Sequence, residues 1–206
     1  NDNQNGTKNS PFKTIFKASE MAQPGDTVTI LGGEFHLEKQ FRPVRSGTSD
    51  KWILYRGAPG QKVVFDGGLI KKVVQNHDSV QFSRLTAGLF QIEKVNYLRF
   101  GNIEVRNSDA GGFIVRGPEC KKIELLNCKS NHSHNSGIGL WYCDSVLVSN
   151  CEITGANDND DQYYLPGQRK GGEAPHEALS ICGARFFEVA NNHVHHCFKE
   201  GIDCKE

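Results

Sequence analysis

The chain has 206 residues, of which 24 are basic and 24 acidic, so its formal net charge is zero. Hydrophobic residues make up 37% and charged residues 23% of it, which is typical of a folded globular protein and excludes a disordered chain. The lack of a basic excess argues against nucleic acid as a partner. No stretch approaches the roughly 18 apolar residues of a membrane span. The polar start NDNQNGTKNSP is not a signal peptide.

The first predicted element is a helix over residues 10–22, SPFKTIFKASEMA. Ser10 is a favourable N-cap, and Pro11 suits a first helical turn. The apolar residues that follow recur at roughly helical spacing. Pro24-Gly25-Asp26 ends the helix, and beyond it the chain consists of short apolar strands separated by Gly, Asn and Asp.

The strands repeat, and each carries an asparagine after an alternating apolar run. The segments are LRFGNIEV (98–105), IELLNCKS (123–130), VLVSNCEI (146–153) and FEVANNHV (187–194). Their asparagines, Asn102, Asn127, Asn150 and Asn191, are 25, 23 and 41 residues apart, and the last spacing is one period of 23 plus an insertion of 18. An asparagine at a fixed turn position favours the left-handed conformation and can hydrogen-bond to its stacked neighbours.

A second set of strands has the same period and the same insertion. It comprises GFIVR (112–116), GIGLW (137–141), ALSIC (178–182) and GIDCK (201–205), with LFQIE (89–93) one repeat upstream. Two strand sets with a period of 20 to 25 residues predict a β-solenoid. A coil buries its inner face only by stacking on another, so the helix at 10–22 is expected to cover the open N-terminal end.

These segments carry a resemblance to a known family. The start NGTKNSPFKTI…A…PGDTVTILGGEF, then WILYRGAPGQKVVFDGG, then the asparagine-bearing coils, resembles the right-handed parallel β-helix proteins. The pattern is most similar to the polysaccharide lyases of the pectin-lyase-like superfamily and to related glycosidases and epimerases. The resemblance implies an all-β, right-handed parallel β-helix over residues 1–206, with about seven coils of ~24 residues.

The same resemblance implies where the protein works and how complete the chain is. A secreted, periplasmic or cell-surface monomer acting on an extracellular polysaccharide is expected. Because the sequence stops at GIDCKE, inside a predicted strand, further C-terminal coils are expected to be missing.

Alternation along the second strand set predicts which side chains face outward. Two inward ladders are expected, Phe113, Ile138, Leu179, Ile202 and Val115, Leu140, Ile181, Cys204. Two outward ladders follow, Gln91, Ile114, Gly139, Ser180, Asp203 and Glu93, Arg116, Trp141, Cys182, Lys205. The insertion at 157–175 lies beside this outer face and could wall a groove.

The strongest candidate site is at the C-terminal end of that face. Glu177 and Glu200 occupy equivalent positions one rung apart, and Asp203 and Lys205 follow on the last strand. The resemblance implies a calcium-assisted β-eliminating lyase, in which Glu177, Glu200 and Asp203 would be the calcium ligands. Lys205 would then be the base that removes the proton beside the uronate carboxylate. A solvated ladder of alternating charges fits the same residues.

Four residues are candidates for binding the polysaccharide. Arg116 or Arg169 would bind a uronate carboxylate, and Arg116 lies three rungs, or roughly 14 Å, from Lys205, which suits a neighbouring sugar. Trp141 is predicted to face outward as a stacking platform for a sugar ring, unless the insertion buries it. His176 precedes Glu177 and belongs to the same patch.

Two other functions remain open. Two acids about 5 Å apart suit a retaining glycoside hydrolase, and Glu177 with Glu200 or with Asp203 could be that pair. A non-catalytic carbohydrate-binding or surface-structural β-helix is the third alternative. Calcium dependence, an acid pair without metal, and lack of turnover would distinguish the three.

Histidines, acidic residues and cysteines give weaker signals. The pairs His132/His134 and His193/His195 are two residues apart, which on a strand puts both members on one face, as in some zinc and copper sites, although polar turn histidines are the simpler interpretation. The acidic run at 157–161 lacks the pattern of an EF-hand. Cys128 and Cys151 stack on consecutive coils, where a disulfide is feasible, and buried free thiols are the preferred interpretation.

Overall fold

The structure, a computed structural model, describes residues 1–70, 87–157 and 176–206. Its elements in these ranges are one helix and a series of short strands. In chain order they are α1 (Ile15–Met21), β1 (Thr27–Ile30), β2 (Gly33–His36), β3 (Ile53–Gly57), β4 (Val63–Asp66), β5 (Gly88–Glu93), β6 (Asn96–Gly101), β7 (Glu104–Ser108), β8 (Gly111–Arg116), β9 (Lys121–Leu126), β10 (Lys129–Ser133), β11 (Ile138–Trp141), β12 (Asp144–Ser149), β13 (Glu152–Thr154), β14 (Leu179–Cys182), β15 (Glu188–Ala190), β16 (His193–His195) and β17 (Ile202–Lys205).

The strands form three parallel sheets that the chain visits in turn, once per coil. The first sheet has the order β1-β3-β6-β9-β12-β15, the second β2-β4-β7-β10-β13-β16, and the third β5-β8-β11-β14-β17. Each strand pairs in parallel with the equivalent strand of the neighbouring coil, on both sides within a sheet and on one side at its ends. This arrangement is a parallel β-helix, as the repeat predicts.

The register confirms the period read from the sequence. Phe113 pairs with Ile138, Ile138 with Leu179, and Leu179 with Ile202, which are the predicted inward partners. The inner face is fully buried in the middle coils, where Phe113, Ile138 and Leu179 are 0% exposed. In the last coil Ile202 holds the same inward position and is 54% exposed, because no described coil packs beyond it.

The helix covers the N-terminal end of the core but begins later than predicted. It starts at Ile15, with Thr14 as N-cap, so the predicted start at Ser10 is wrong. The Asp2 carboxylate accepts hydrogen bonds from the backbone N–H groups of Lys13 and Thr14, at 2.8 and 2.9 Å, before the first helical turn. Ile15 is buried in the core cluster, as expected of a cap.

The repeated asparagines lie at the turns between the first and second sheets. Asn102, Asn127, Asn150 and Asn191 all have positive φ, between 53° and 56°, which confirms the predicted left-handed conformation. Their backbone groups carry the contact between coils: Asn127 N–H, for example, donates to the carbonyl oxygen of Ser149 at 3.0 Å. The short polar side chain lowers the cost of this backbone conformation.

Candidate functional site

The outer face of the third sheet has the predicted register. Arg116 pairs with Trp141, Trp141 with Cys182, and Cys182 with Lys205, so these residues form one column along the solenoid. The neighbouring column ends in the pair Ser180 and Asp203. The two columns bring Asp203 and Lys205 beside the residues that precede β14.

Glu177, Asp203 and Lys205 form an ion-pair cluster at the C-terminal end of this face. The Lys205 ammonium is 2.5 Å from Glu177 Oε1 and 3.1 Å from Asp203 Oδ2. The Glu177 side chain is 2% exposed, whereas Lys205 is 51% exposed. Two carboxylates from adjacent coils therefore converge on one cationic group at the boundary with solvent.

A chain of hydrogen bonds holds Glu177 in place. Ser180 Oγ donates to Glu177 Oε2 at 3.0 Å, and Trp141 Nε1 donates to Ser180 Oγ at 3.3 Å. Both carboxylate oxygens of Glu177 thus have a donor, which a buried carboxylate needs. The backbone supports the arrangement, since Ala178 N–H donates to the Glu200 carbonyl oxygen at 2.9 Å.

The cluster shifts the pKa values of its members in opposite directions. Burial alone would raise the pKa of Glu177, but the hydrogen bonds from Lys205 and Ser180 and the lysine charge hold it below its ordinary value. Hydrogen bonds to Glu177 and then Asp203 raise the pKa of Lys205 well above its ordinary value. Lys205 is therefore an ammonium ion in this arrangement, and it must lose these partners before it can accept a proton.

The Trp141 side chain starts from the outer face of the sheet, as predicted. The prediction that it is exposed to solvent is wrong. It is only 4% exposed. Its indole lies back across Gly139, with ring atoms 2.9 and 3.0 Å from where a Cβ of that residue would stand. The imidazole of His176 covers it, with the ring centroids 4.7 Å apart. A glycine on the same strand makes room for the ring to lie flat.

The structure separates the other predicted site residues from this cluster. The Glu200 side chain is exposed, and within the described ranges it makes no ion pair with Lys205. Arg116 lies three rungs away, where its Nε is 3.9 Å from the Glu93 carboxylate, which also binds Arg42. Arg169 and the acidic residues 158–161 lie outside the described residues.

A set of buried polar residues that the sequence pattern did not predict lies in the turns between the second and third sheets. They are His134, Asn135, Ser136 and Asn157, each 0 or 1% exposed. Asn157 Nδ2 donates to the His176 carbonyl oxygen at 2.7 Å, which ties these turns to the residue preceding Glu177. The signal was present in the Ser- and Asn-rich run SNHSHNSG, which lies just before β11.

The histidine spacing is confirmed for one pair and wrong for the other. The His193 and His195 rings stack, with centroids 4.1 Å apart. His132 has a φ of 53° and is exposed, whereas His134 lies beyond the end of β10 and is buried. The strand alternation on which that prediction rested does not apply there.

Four of the seven cysteines are buried, as preferred from the sequence. Cys120, Cys128, Cys143 and Cys151 are buried free thiols. Burial raises the pKa values of Cys120 and Cys143 to about 12. Cys204, in the last coil, is exposed.

A comparison with family models decides which family this fold represents. The model of the Pel9A-like, right-handed β-helix region matches residues 1–204. The chain belongs to this family. The match gives the handedness of the solenoid and confirms the resemblance stated from the sequence.

Relatives of the Pel9A-like chain include polysaccharide lyases. Pectate lyase PEL9 of Emericella nidulans is 23% identical over 131 residues, which cover 64% of this chain and 32% of that protein. The chain thus spans about a third of the length of this curated relative.

The helix in the described part of the chain, α1, lacks the length and apolar character needed to cross a bilayer.

Solved structures of lyases have the same fold. A rhamnogalacturonan lyase superposes with a TM-score of 0.70 at 12% identity, covering 100% of this chain and 60% of that one. An alginate lyase from Paenibacillus sp. superposes with a TM-score of 0.56 at 17% identity, covering 86% of this chain and 62% of its own. At these identities the likeness shows a shared fold.

The Glu177 cluster offers two carboxylates, the type of ligand that calcium prefers. Calcium takes carboxylate and other oxygen ligands, and Glu177 and Asp203 already direct oxygens at a single cation, the Lys205 ammonium. A second acidic group, Glu34, His36 and Asp66, lies on the second sheet. There Arg106 binds both Asp66 and Glu34, as Lys205 binds Glu177 and Asp203, so in each group a side-chain cation already balances the carboxylates.

Proposed function

We propose that this Pel9A-like chain is part of an extracellular polysaccharide lyase that cleaves a uronate-containing polymer by β-elimination. The family and the lyase names of its relatives support this class of reaction. The observation that carries the proposal is the convergence of Glu177 and Asp203 on Lys205, at the end of an outward-facing column of the third sheet.

Lys205 and residues along the same face each have a role in this reaction. β-Elimination removes the proton beside the uronate carboxylate and expels the glycosidic oxygen from the next carbon. A double bond is left in one product, and the expelled oxygen takes a proton from water to become the hydroxyl group of the other. Lys205 is the base and takes that proton. Arg116 lies three rungs away and binds the carboxylate of a neighbouring sugar unit. His176, whose ring covers Trp141, borders the sugar that reacts.

Glu177 and Asp203 would hold calcium in this proposal, with Glu200 joining them by rotation of its exposed side chain. When bound, calcium supplies positive charge that stabilises the developing negative charge on the uronate carboxylate. Glu177 and Asp203 are also the groups that raise the pKa of Lys205. When their charge is neutralised by another cation, the pKa of Lys205 falls, which makes it a better base.

The experiment compares variants of Lys205 on a panel of pectates, alginates and glycosaminoglycans. Ultraviolet absorbance measures the unsaturated product, with calcium and with a chelator. Lys205→Ala is expected to lower the rate by at least about 100-fold, within the range typical of a positioned base. Lys121→Ala, on the first sheet and remote from the cluster, is the matched control and is expected to act as wild type.

Two results would contradict the assignment. If Lys199→Ala, in the turn before β17, abolished the product while Lys205→Ala did not, Lys205 would not be the base. New reducing ends without ultraviolet absorbance would indicate instead a retaining hydrolase that uses Glu177 and Asp203. Binding without any product would indicate a carbohydrate-binding module.

A further inference from the structure

A second cluster of ionisable side chains lies on the outer face of the second sheet, remote from the proposed lyase chemistry. We call it the imidazole cluster, and it consists of Glu152 on β13 with His193, His195 and His196 at β16. The register pairs Glu152 with His193 and Thr154 with His195, so the cluster joins two consecutive coils. The side chains of His193 and His195 lie on one face, with their rings stacked at 4.1 Å.

Glu152 fixes the proton on one nitrogen of His195. His195 Nε2 lies 3.1 Å from Glu152 Oε1, and the Lys129 ammonium lies 2.9 Å from the same oxygen. Glu152 also forms a salt bridge with the Lys129 ammonium, and an ionised carboxylate paired in this way only accepts hydrogen bonds. His195 Nε2 must therefore be the donor, and in the neutral ring Nδ1 then carries a lone pair.

The lone pair of His195 faces a second imidazole nitrogen. His195 Nδ1 and His196 Nδ1 are 2.6 Å apart. The side chain of His195 is 25% exposed, and His196 is exposed, so both imidazole rings lie at the surface. A carboxylate that orients one imidazole nitrogen while the other binds an ion is the arrangement found around histidine ligands in metalloproteins.

We propose that His195 Nδ1 and His196 Nδ1 chelate a divalent transition-metal ion, Zn²⁺ or Cu²⁺, with Glu152 as the residue that orients His195. Imidazole nitrogen suits these borderline ions better than calcium or magnesium. At Zn–N distances of about 2.0–2.1 Å, two ligands of a tetrahedral ion are about 3.3 Å apart. The two nitrogens must separate by less than 1 Å from their present positions, which the exposed His196 side chain allows. The proton that His196 Nδ1 now donates to His195 Nδ1 leaves for solvent, and neutral His196 keeps its proton on Nε2. Water completes the coordination.

The site differs in chemistry and in place from the Glu177 cluster, so the proposal does not rest on the lyase function. Its ligands are nitrogens on the second sheet, whereas the Glu177 cluster offers oxygens on the third. Both ligands belong to the coil of β16, and Glu152 of the preceding coil holds His195 in place, so the site forms only when the two coils are stacked. Metal binding is therefore expected to stabilise the folded chain, which would be measured as a higher melting temperature in the presence of the metal.

The test is titration of the untagged chain with Zn²⁺ and, separately, with Cu²⁺, against a chromophoric chelator in competition. His195→Ala and His196→Ala are each expected to weaken binding by more than tenfold. Glu152→Gln keeps both ligands and removes only the charge on the orienting group, so about 10- to 100-fold weaker binding is expected. Electron paramagnetic resonance of the Cu²⁺ form is expected to show coupling to imidazole nitrogen in the wild type and a changed spectrum in His195→Ala.

His36→Ala is the matched control, because His36 is an exposed histidine on the same sheet and belongs to the Glu34, His36, Asp66 group. It is expected to bind as wild type. Circular dichroism melts without metal establish that each variant is folded. The proposal is overturned if His195→Ala and His196→Ala, both folded, bind as tightly as wild type, or if only His36→Ala loses binding.

Discussion

At the scale of single residues, the burial of Glu177 separates the candidate site from an ordinary surface charge ladder. A surface ion pair contributes little to stability, but this carboxylate is 2% exposed and depends on Lys205 and Ser180 for its hydrogen bonds. Lys205 is half exposed and can be solvated by water if its partner is lost. Removing the Glu177 charge should therefore destabilise the protein mainly because the buried carboxylate loses its hydrogen bonds, and only slightly because Lys205 loses its partner.

This burial predicts a pH-dependent effect of Glu177→Gln. The folded-state pKa of Glu177 is lowered, so its stabilising contribution is present above the unfolded pKa and is lost as the pH falls through the folded value. The variant is expected to be about 1–3 kcal/mol less stable near neutral pH, the range for hydrogen bonds to charged groups. The difference should shrink toward pH 3. Urea unfolding at several pH values measures it.

Glu200→Gln is the matched control, because Glu200 occupies the equivalent position one coil later and its side chain is exposed. Its free energy of unfolding should change by no more than about 0.5 kcal/mol, as for most surface substitutions. Equal losses for both variants, or a Glu177→Gln deficit that grows as the medium becomes more acidic, would contradict the assigned ion pair.

At the scale of strands and turns, the sequence predicted position and register well and exposure poorly. Alternation and period placed Phe113, Ile138 and Leu179 in one buried ladder, because strand geometry alone sets that pattern. The same rule placed Trp141 outward but could not show that its ring folds back over Gly139 and under His176. Such contacts depend on residues far apart in the chain, which no local pattern contains.

Close approach between coils makes one glycine essential to a strand. A Cβ at Gly112 would lie 2.1 Å from Ser130 Oγ and 2.4 Å from the backbone oxygen of Gly137. A Cβ at Gly101, also buried in a strand, would meet only the Leu126 oxygen, at an ordinary 3.5 Å. Gly112→Ala should thus cost about 1–3 kcal/mol of stability through overpacking, and Gly101→Ala much less.

Denaturant unfolding of the two alanine variants gives this comparison directly. If Gly101→Ala proved as destabilising as Gly112→Ala, loss of backbone freedom rather than steric conflict would be the cause, and the close packing of β8 on the second sheet would be in doubt.

At the scale of the whole molecule, stability should come from stacking each coil on its neighbours. Phe113 is 0% exposed and packs edge-on against Phe90 of the preceding coil, with ring centroids 5.3 Å apart. Phe113→Ala is expected to cost about 3–5 kcal/mol, as for large-to-small changes in a packed core. Phe186, which is 81% exposed, supplies the matched variant, and Phe186→Ala should have little effect.

Thermal and urea unfolding of both phenylalanine variants would measure this difference. A loss in Phe186→Ala as large as that in Phe113→Ala would mean that the described stacking order does not govern the stability of the molecule.

The whole fold was predictable because a solenoid repeats its signal in every coil, so errors at single positions average out. The candidate site has no such repetition, since Glu177, Ser180, Asp203 and Lys205 meet once, at one end of one face. The sequence pattern predicted that these carboxylates and the lysine lie on neighbouring rungs. It did not indicate that Glu200 stays apart, or that two acids hold Lys205 as a cation.

The central claim is that this molecule breaks a uronate polymer by elimination, and the mass of the product tests it most directly. The chain is incubated with pectate or alginate in water enriched in oxygen-18, and the released fragments are analysed by mass spectrometry. At each cut, elimination predicts one fragment with an unsaturated end that is lighter by one water molecule than the corresponding hydrolysis product, with no heavy oxygen added at the cleaved bond, and Glu177→Gln should release far less of this fragment. Fragments that contain one oxygen-18 atom would contradict the account and would establish hydrolysis.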